Sequence, residues 1–369
     1  MKYNHPTEMP VSKTLYFDWI GKRIPLAEKK QGGDTHPQTW ADDDEIYVGT
    51  GDPGWALTDG KLVHGFYPES DHRYGTTIGQ VFEKLTGEPE SLGLERVHDM
   101  PDYTGFGGMG PKPCGLICVD GVLYYAVQNM LGKKEPPWRK NSQHGTDATI
   151  ICSRDYGKTW APERNAAPMF PGSEFGGLSF VQYGKNNDGA FDDYVYAVSG
   201  DQWDNGRFIR LGRVLKDQIM NRESWEFFSR DSAGNIEWIK DLTKSQPILD
   251  IEGHMGLPEM VYIHGIKKYL LLTWALHTDF YSPTGSELTI LESDNLWGPF
   301  SLLHYEWMWD SRKCCPYTPR IPLKWFDQEN LEGYILHSGS WGYMGDDGIW
   351  VGFPEYYRPH LKKFKLSYK

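Results

Sequence analysis

The fold class predicted by the sequence is an all-β, five-bladed β-propeller, on three observations. A tyrosine-centred strand signature recurs five times, the composition is rich in rings and turn formers, and helical periodicity is scarce. The signature is a turn with Asp or Gly, then a strand centred on Tyr, then small polar residues or Trp. It reads Asp43-Asp44-Glu45-Ile46-Tyr47-Val48, then Asp120-Gly121-Val122-Leu123-Tyr124-Tyr125, then Asp193-Tyr194-Val195-Tyr196-Ala197-Val198. Lys267-Lys268-Tyr269-Leu270-Leu271 and Glu332-Gly333-Tyr334-Ile335-Leu336 complete the set. The matched tyrosines are separated by 77, 72, 73 and 65 residues. Even spacing of this kind marks a repeat architecture, and each unit has room for about four short antiparallel strands, the content of a propeller blade. Two stacked β-sandwiches would not space five units so evenly.

The chain is read as one propeller domain over residues 1–369. Its approximate blades are 30–100, 101–170, 171–245, 246–310 and 311–369, with the N-terminal segment closing the last. At 369 residues it exceeds the roughly 250–300 at which single cores stop growing, so a distributed core is expected. Ala148–Ser153, Phe208–Arg213 and Leu288–Ser293 read as following strands. Gln80 to Leu85 and Leu215 to Asn221 have room for a helical turn or two. The segment Leu361 to Leu366 alternates like an edge strand.

Net charge is −12, with no basic cluster, which argues against nucleic acid. No apolar run approaches the roughly 18 residues of a membrane span, so no membrane insertion is expected. Met1 to Thr14 lacks the apolar core of a signal peptide. The chain is therefore cytoplasmic if Met1 is the native start, and secreted or periplasmic if a signal peptide was removed. Five cysteines, Cys114, Cys118, Cys152, Cys314 and Cys315, form no disulfide framework and read as small buried residues. Ser153-Arg154-Asp155-Tyr156-Gly157-Lys158-Thr159-Trp160 matches the Asp-box turn of sialidase-like propellers, a structural hairpin in which Asp155 ties down the backbone.

Chemistry is expected at the mouth of a central channel. Gly33-Asp34 and Gly51-Asp52 flank the first signature strand, and the glycines let a short carboxylate reach the channel. Two carboxylates in different environments are what glycoside cleavage needs. Turn formation is the structural alternative for both. His36 is placed to bind substrate or to tune its neighbour. Arg207, Arg210 and Arg213 lie on one strand, and Arg210 faces opposite the other two by strict alternation. Trp203, Trp274 and Trp341 follow their tyrosines at offsets of 7, 5 and 7 and read as sugar platforms or as blade packing.

The chain resembles a family of five-bladed propellers, long catalogued as a domain of unknown function, that includes endo-D-arabinanases (glycoside hydrolase family 183). The matching stretches are Gly33-Asp34, Thr39 to Tyr47, Gly51-Asp52, Ser153 to Trp160 and Phe180 to Gly184 with Tyr194-Val195-Tyr196. Gly212-Arg213-Val214 leading to Trp225-Glu226-Phe227-Phe228, Tyr262 to Leu272, Trp297 to Phe300 and Tyr317-Thr318-Pro319 follow. The resemblance implies that Asp34 is nucleophile or base and Asp52 the general acid. Thr35-His36-Pro37 and Pro53-Gly54-Trp55 depart from the pattern, which leaves the sugar open. Other five-bladed glycosidases carry an acid Glu on a middle blade, so Glu259 is a candidate third carboxylate, with His254 beside it for substrate.

The expected function is hydrolysis of a polysaccharide or oligosaccharide, a furanoside such as arabinan among the options, with no required cofactor. The Asp-rich channel is compatible with a bound calcium. Two alternatives stand. One is a polysaccharide lyase using His254, Tyr262 and the arginine strand on a uronate. The other is a non-catalytic carbohydrate-binding propeller.

Overall fold

A computed structural model describes every residue except 1, 27–31, 54, 59–60, 65–78, 104–109, 132–144, 163–166, 278–284, 311–313, 341, 345–346, 348–349 and 353–355. Among the described residues the helical pieces are three-residue 3-10 turns, and strands supply the rest of the regular structure. Five sheets of three or more strands follow one another along the chain. The first is Gln38–Trp40, Ile46–Gly51, Gln80–Thr86 and Gly93–His98; the second is Lys112–Val119, Val122–Gln128 and Thr149–Ser153. The third begins Gly177–Phe180, Tyr194–Gly200, Gly206–Leu215 and extends to Leu249–Met255 and Lys2–Tyr3, with Glu226–Arg230 and Ile236–Ile239 on a branch. The fourth is Glu259–Ile263, Lys268–His277, Gly285–Ser293 and Ser301–Trp307. The fifth is Tyr317–Arg320, Glu332–Ser338, Pro359–Tyr368 and Leu15–Trp19, with Ile24–Pro25 also paired to Pro359–Tyr368.

Each matched tyrosine lies on the second strand of its sheet, and all five rings are buried. The turn residues act locally as the pattern demands. Asp43 accepts from the Tyr47 hydroxyl and Asp192 from the Tyr196 hydroxyl, both at 2.8 Å. Such pairs satisfy a phenol at the buried end of a strand.

The first strands gather around a common axis, and hydrogen bonds between them run full circle. Cys118 N donates to Thr39 Oγ1 (3.0 Å) and Gln182 Nε2 to Leu116 O (2.7 Å). Tyr262 N donates to Gln182 O (2.9 Å) and Ile321 N to Glu259 Oε2 (2.5 Å). Gln38 Nε2 closes the circuit on Ile321 O (3.2 Å). The apolar core is divided to match. One cluster joins first and second sheets around Tyr47, Phe82 and Tyr125, and another joins first and fifth around Val48, Leu85 and Leu361. Three more fill the remaining gaps between neighbours. This radial arrangement is a propeller.

The expected blade count needs correction. Four of the sheets carry the four or more strands of a full blade, so the structure has four full blades rather than five. Among the described residues the second sheet stops at three strands, because the chain after Ser153 turns sharply and rejoins by single bridges, Cys152 to Ala161 and Ala148 to Phe170. Gln80–Thr86 is a strand, not a helical turn, because it pairs on both sides, with Ile46–Gly51 and Gly93–His98. Pro359–Tyr368 is likewise no edge: Leu15–Trp19 covers its outer side and carries the alternating burial of an outermost strand. Strands buried on both faces, such as Val122–Gln128, show no alternation, since a neighbouring sheet covers each face.

Candidate functional site

Asp34 and Asp52 meet at the end of the axis where the first strands begin. Asp34 sits just ahead of Gln38–Trp40, and reciprocal backbone bonds with Gly51 hold it in place (2.8 and 2.9 Å). Those bonds bring the first Gly-Asp motif directly against the second. A Cβ at Gly51 would lie 2.5 Å from Asp34 Oδ1, so a side chain there would push the carboxylate out of place. Thr35, His36 and Asp52 all have positive φ (67°, 36° and 43°). Non-glycine residues held in that region store strain, which tends to concentrate at functional sites.

The two carboxylates have different surroundings. Asp34 is 4% exposed; its Oδ2 accepts from the hydroxyls of Tyr317 (3.0 Å) and Tyr357 (2.9 Å). Its Oδ1 is buried without a hydrogen-bond partner among the described residues. Burial, and next the neighbouring Asp52 charge, push the Asp34 carboxyl up to about 7. Asp52 is 8% exposed and receives a 2.6 Å hydrogen bond from the Lys112 ammonium, which also donates to Gly79 O. The site therefore pairs a desolvated carboxyl with an ion-paired carboxylate.

The remaining candidates divide. His36 is buried in the same turn, its Nδ1 is 3.4 Å from Thr50 Oγ1, and burial pushes it down to about 3, so it is neutral. Glu259 is buried and pushed up to about 7 by desolvation, yet its oxygens serve as a strut. They accept from Ile321 N and Gln38 Nε2 beside the Arg320 guanidinium. Arg320 in turn donates to Ser179 Oγ and Pro258 O, tying the third, fourth and fifth sheets together. Glu259 is thus built into the ring rather than into the Asp34 constellation.

Trp203 and Trp274 are 2% and 0% exposed, which corrects the reading of them as open platforms. They stack edge to face at 5.0 Å and both pack on Tyr317 at about 5.5 Å, so they act on the site by fixing a ring whose hydroxyl holds Asp34. Trp341 lies outside the described residues. Arg210 is half-buried over the Phe208 ring, away from the pair. Arg207 is bound to Asp250 and Arg213 to Glu226, so the arginine strand presents no concerted cationic face. His254 lies on the fourth strand of the third sheet and contacts Glu287 of the fourth, not the aspartates.

Sequence reasoning missed Lys112, Tyr317 and Tyr357. Lys112 follows Gly110-Pro111 at the start of an inner strand, and Tyr317 stands at the start of another, in a stretch already noted without a role. Tyr357 reaches Asp34 across 323 positions and carries no local signal.

No protein-family model matches the sequence, and no curated protein matches it either. Solved structures do share the fold. A candidate hydrolase from Bacteroides ovatus is similar with a TM-score of 0.55 at 11% identity, over 94% of this chain and 87% of that one. The α-L-arabinofuranosidase of Podospora anserina, solved with cellotriose, is similar with a TM-score of 0.50 at 10% identity, over 97% and 98%. At such identities the likeness is one of propeller architecture over nearly the full chain.

Proposed function

We propose that this chain is a glycoside hydrolase acting on a polysaccharide or oligosaccharide, a furanoside such as arabinan in particular, with Asp34 and Asp52 as its catalytic carboxylates. One observation carries the reading: the electrostatic split between a buried Asp34 raised to about 7 and an Asp52 held by Lys112. In this reading Asp34 gives its proton to a leaving oxygen, and Asp52, ion-paired with Lys112, acts as base or nucleophile. This reverses the roles that the family resemblance implies. The burial that raises Asp34 also encloses the pair, so a bound glycan has to displace a neighbour to reach Oδ1. Support comes from the fold shared with a named arabinofuranosidase, though that likeness concerns architecture. In this reading the three-stranded second sheet counts as the fifth blade.

The test is a digestion screen over arabinans, arabinoxylans and xylans, scored by new reducing ends. The wild-type chain should cleave at least one substrate, and Asp34→Asn or Asp52→Asn should lower turnover by about 10²–10⁴-fold, the usual contribution of a positioned acid or base. Full turnover by both variants, or an unsaturated uronate as product, would overturn it.

A further inference from the structure

Away from the aspartate pair, three side chains from distant parts of the chain converge on one point. His5, His254 and Glu287 place their ligating atoms within 4.8 Å of one another, the one such cluster among the described residues. His5 comes from the N-terminal strap, His254 from the strand Leu249–Met255 of the third sheet, and Glu287 from Gly285–Ser293 of the fourth. We propose that His5, His254 and Glu287 form a binding site for a divalent transition metal, Zn²⁺ foremost, which clamps the N-terminal strap across the third and fourth sheets.

The donor set selects the class of ion. Two imidazoles and one carboxylate, with a fourth position left for water, suit zinc; calcium and magnesium favour all-oxygen shells. Zinc ligands at about 2.0–2.1 Å from the metal sit roughly 3.3 Å apart, so small side-chain rotations close the group. The Glu287 side chain is fully buried, where a carboxylate needs positive charge beside it. The His254 ring nitrogen Nδ1 contacts Glu287 Oε1, and the His5 and His254 rings lie 4.6 Å apart.

The surrounding groups orient these ligands. Tyr305 donates its hydroxyl to Glu287 Oε2 at 2.8 Å, leaving Oε1 on the histidine side. Thr7 engages His5 Nδ1 through its hydroxyl and amide (2.8 and 3.2 Å), and His5 Nε2 points to the Tyr305 hydroxyl at 3.2 Å. These contacts hold the ring in place; for Nε2 to bind a metal the proton moves to Nδ1, which then donates to the Thr7 hydroxyl oxygen instead of accepting from the Thr7 amide. The strap itself is held by few backbone bonds: Lys2–Tyr3 pairs with Asp250 and Ile251, and Val11 bridges Leu302. Between them the strap crosses from the third to the fourth sheet, and His5 is at the crossing.

The test uses the full chain, stripped with chelator and titrated with ZnCl₂ alone by calorimetry and by metal analysis. One zinc per chain should bind, with a rise in Tm. His5→Gln and Glu287→Gln should each weaken binding at least tenfold, while Asp34→Asn binds as the wild type does. Because Glu287 is buried and its replacement can perturb folding, His5→Gln on the half-exposed strap is the deciding variant, provided its circular dichroism is native. Absence of saturable binding by the wild type, or unchanged affinity and stoichiometry in His5→Gln, would overturn the assignment.

Discussion

Replacing Asp34 by Asn should alter stability in a pH-dependent way that only a buried, raised carboxyl can produce. An unfolded Asp titrates near 3.9, whereas the folded Asp34 is raised to about 7. Three units at 1.36 kcal/mol each amount to about 4 kcal/mol. The sign follows from proton binding. Below about pH 4 both states hold the proton and the folded state bears no penalty. Between about 4 and 7 the unfolded chain releases the proton while the folded one retains it, so stability falls as pH rises. Above the folded value the whole penalty applies. Asn does not titrate, and its carbonyl oxygen still accepts from Tyr317 and Tyr357. Its amide would occupy the site of the unpartnered Oδ1, a penalty of about 1–3 kcal/mol that does not vary with pH. The stability of Asp34→Asn relative to wild type should therefore climb by about 4 kcal/mol from pH 4 to 8. At roughly 2 cal/mol/K of unfolding entropy per residue this is a relative Tm shift of about 5 °C in a 369-residue chain. Calorimetry or urea titration at several pH values reads it directly, and the similarly raised Glu259 cancels because both proteins contain it. A difference that stays flat within about 1 kcal/mol over that range would refute the assignment of Asp34 as a desolvated acid.

Two further outcomes test the surrounding structure. Lys112→Met removes the cation 2.6 Å from the buried Asp52 carboxylate, so urea unfolding at neutral pH should show a loss of about 3–5 kcal/mol; a loss under about 1 kcal/mol would mean that water reaches the pair. Gly157→Ala puts a Cβ at φ +88° within 2.2 Å of Phe82 Cε1, where the turn packs on the first sheet. Thermal unfolding should register a loss of about 2 kcal/mol or more, and an unchanged Tm would show that the turn is free to move.

The sequence made the repeat legible because a blade's second strand is specified locally, by a turn residue and a tyrosine four positions on, as at Asp43 and Tyr47 or Asp192 and Tyr196. It also exposed Asp34 and Asp52, because the glycine ahead of each is a local requirement of the backbone. The strand count was less legible. Ser153 to Trp160 reads as a hairpin turn, and Asp155 does bind Thr159 N (2.9 Å) and Oγ1 (2.7 Å), but nothing in the stretch says that the following segment only bridges.

By itself, then, the amino-acid order determined an all-β chain with repeated units and two aspartates beside permissive glycines. Tertiary structure alone decided what those aspartates are. Lys112, Tyr317 and Tyr357 reach them from 60, 283 and 323 positions away, and the enclosing sheets bury Asp34 and raise its carboxyl. The same closure makes Trp203 and Trp274 packing residues and Glu259 a strut. Local rules act over a few residues, whereas desolvation and charge pairing depend on which distant segments the ring brings together.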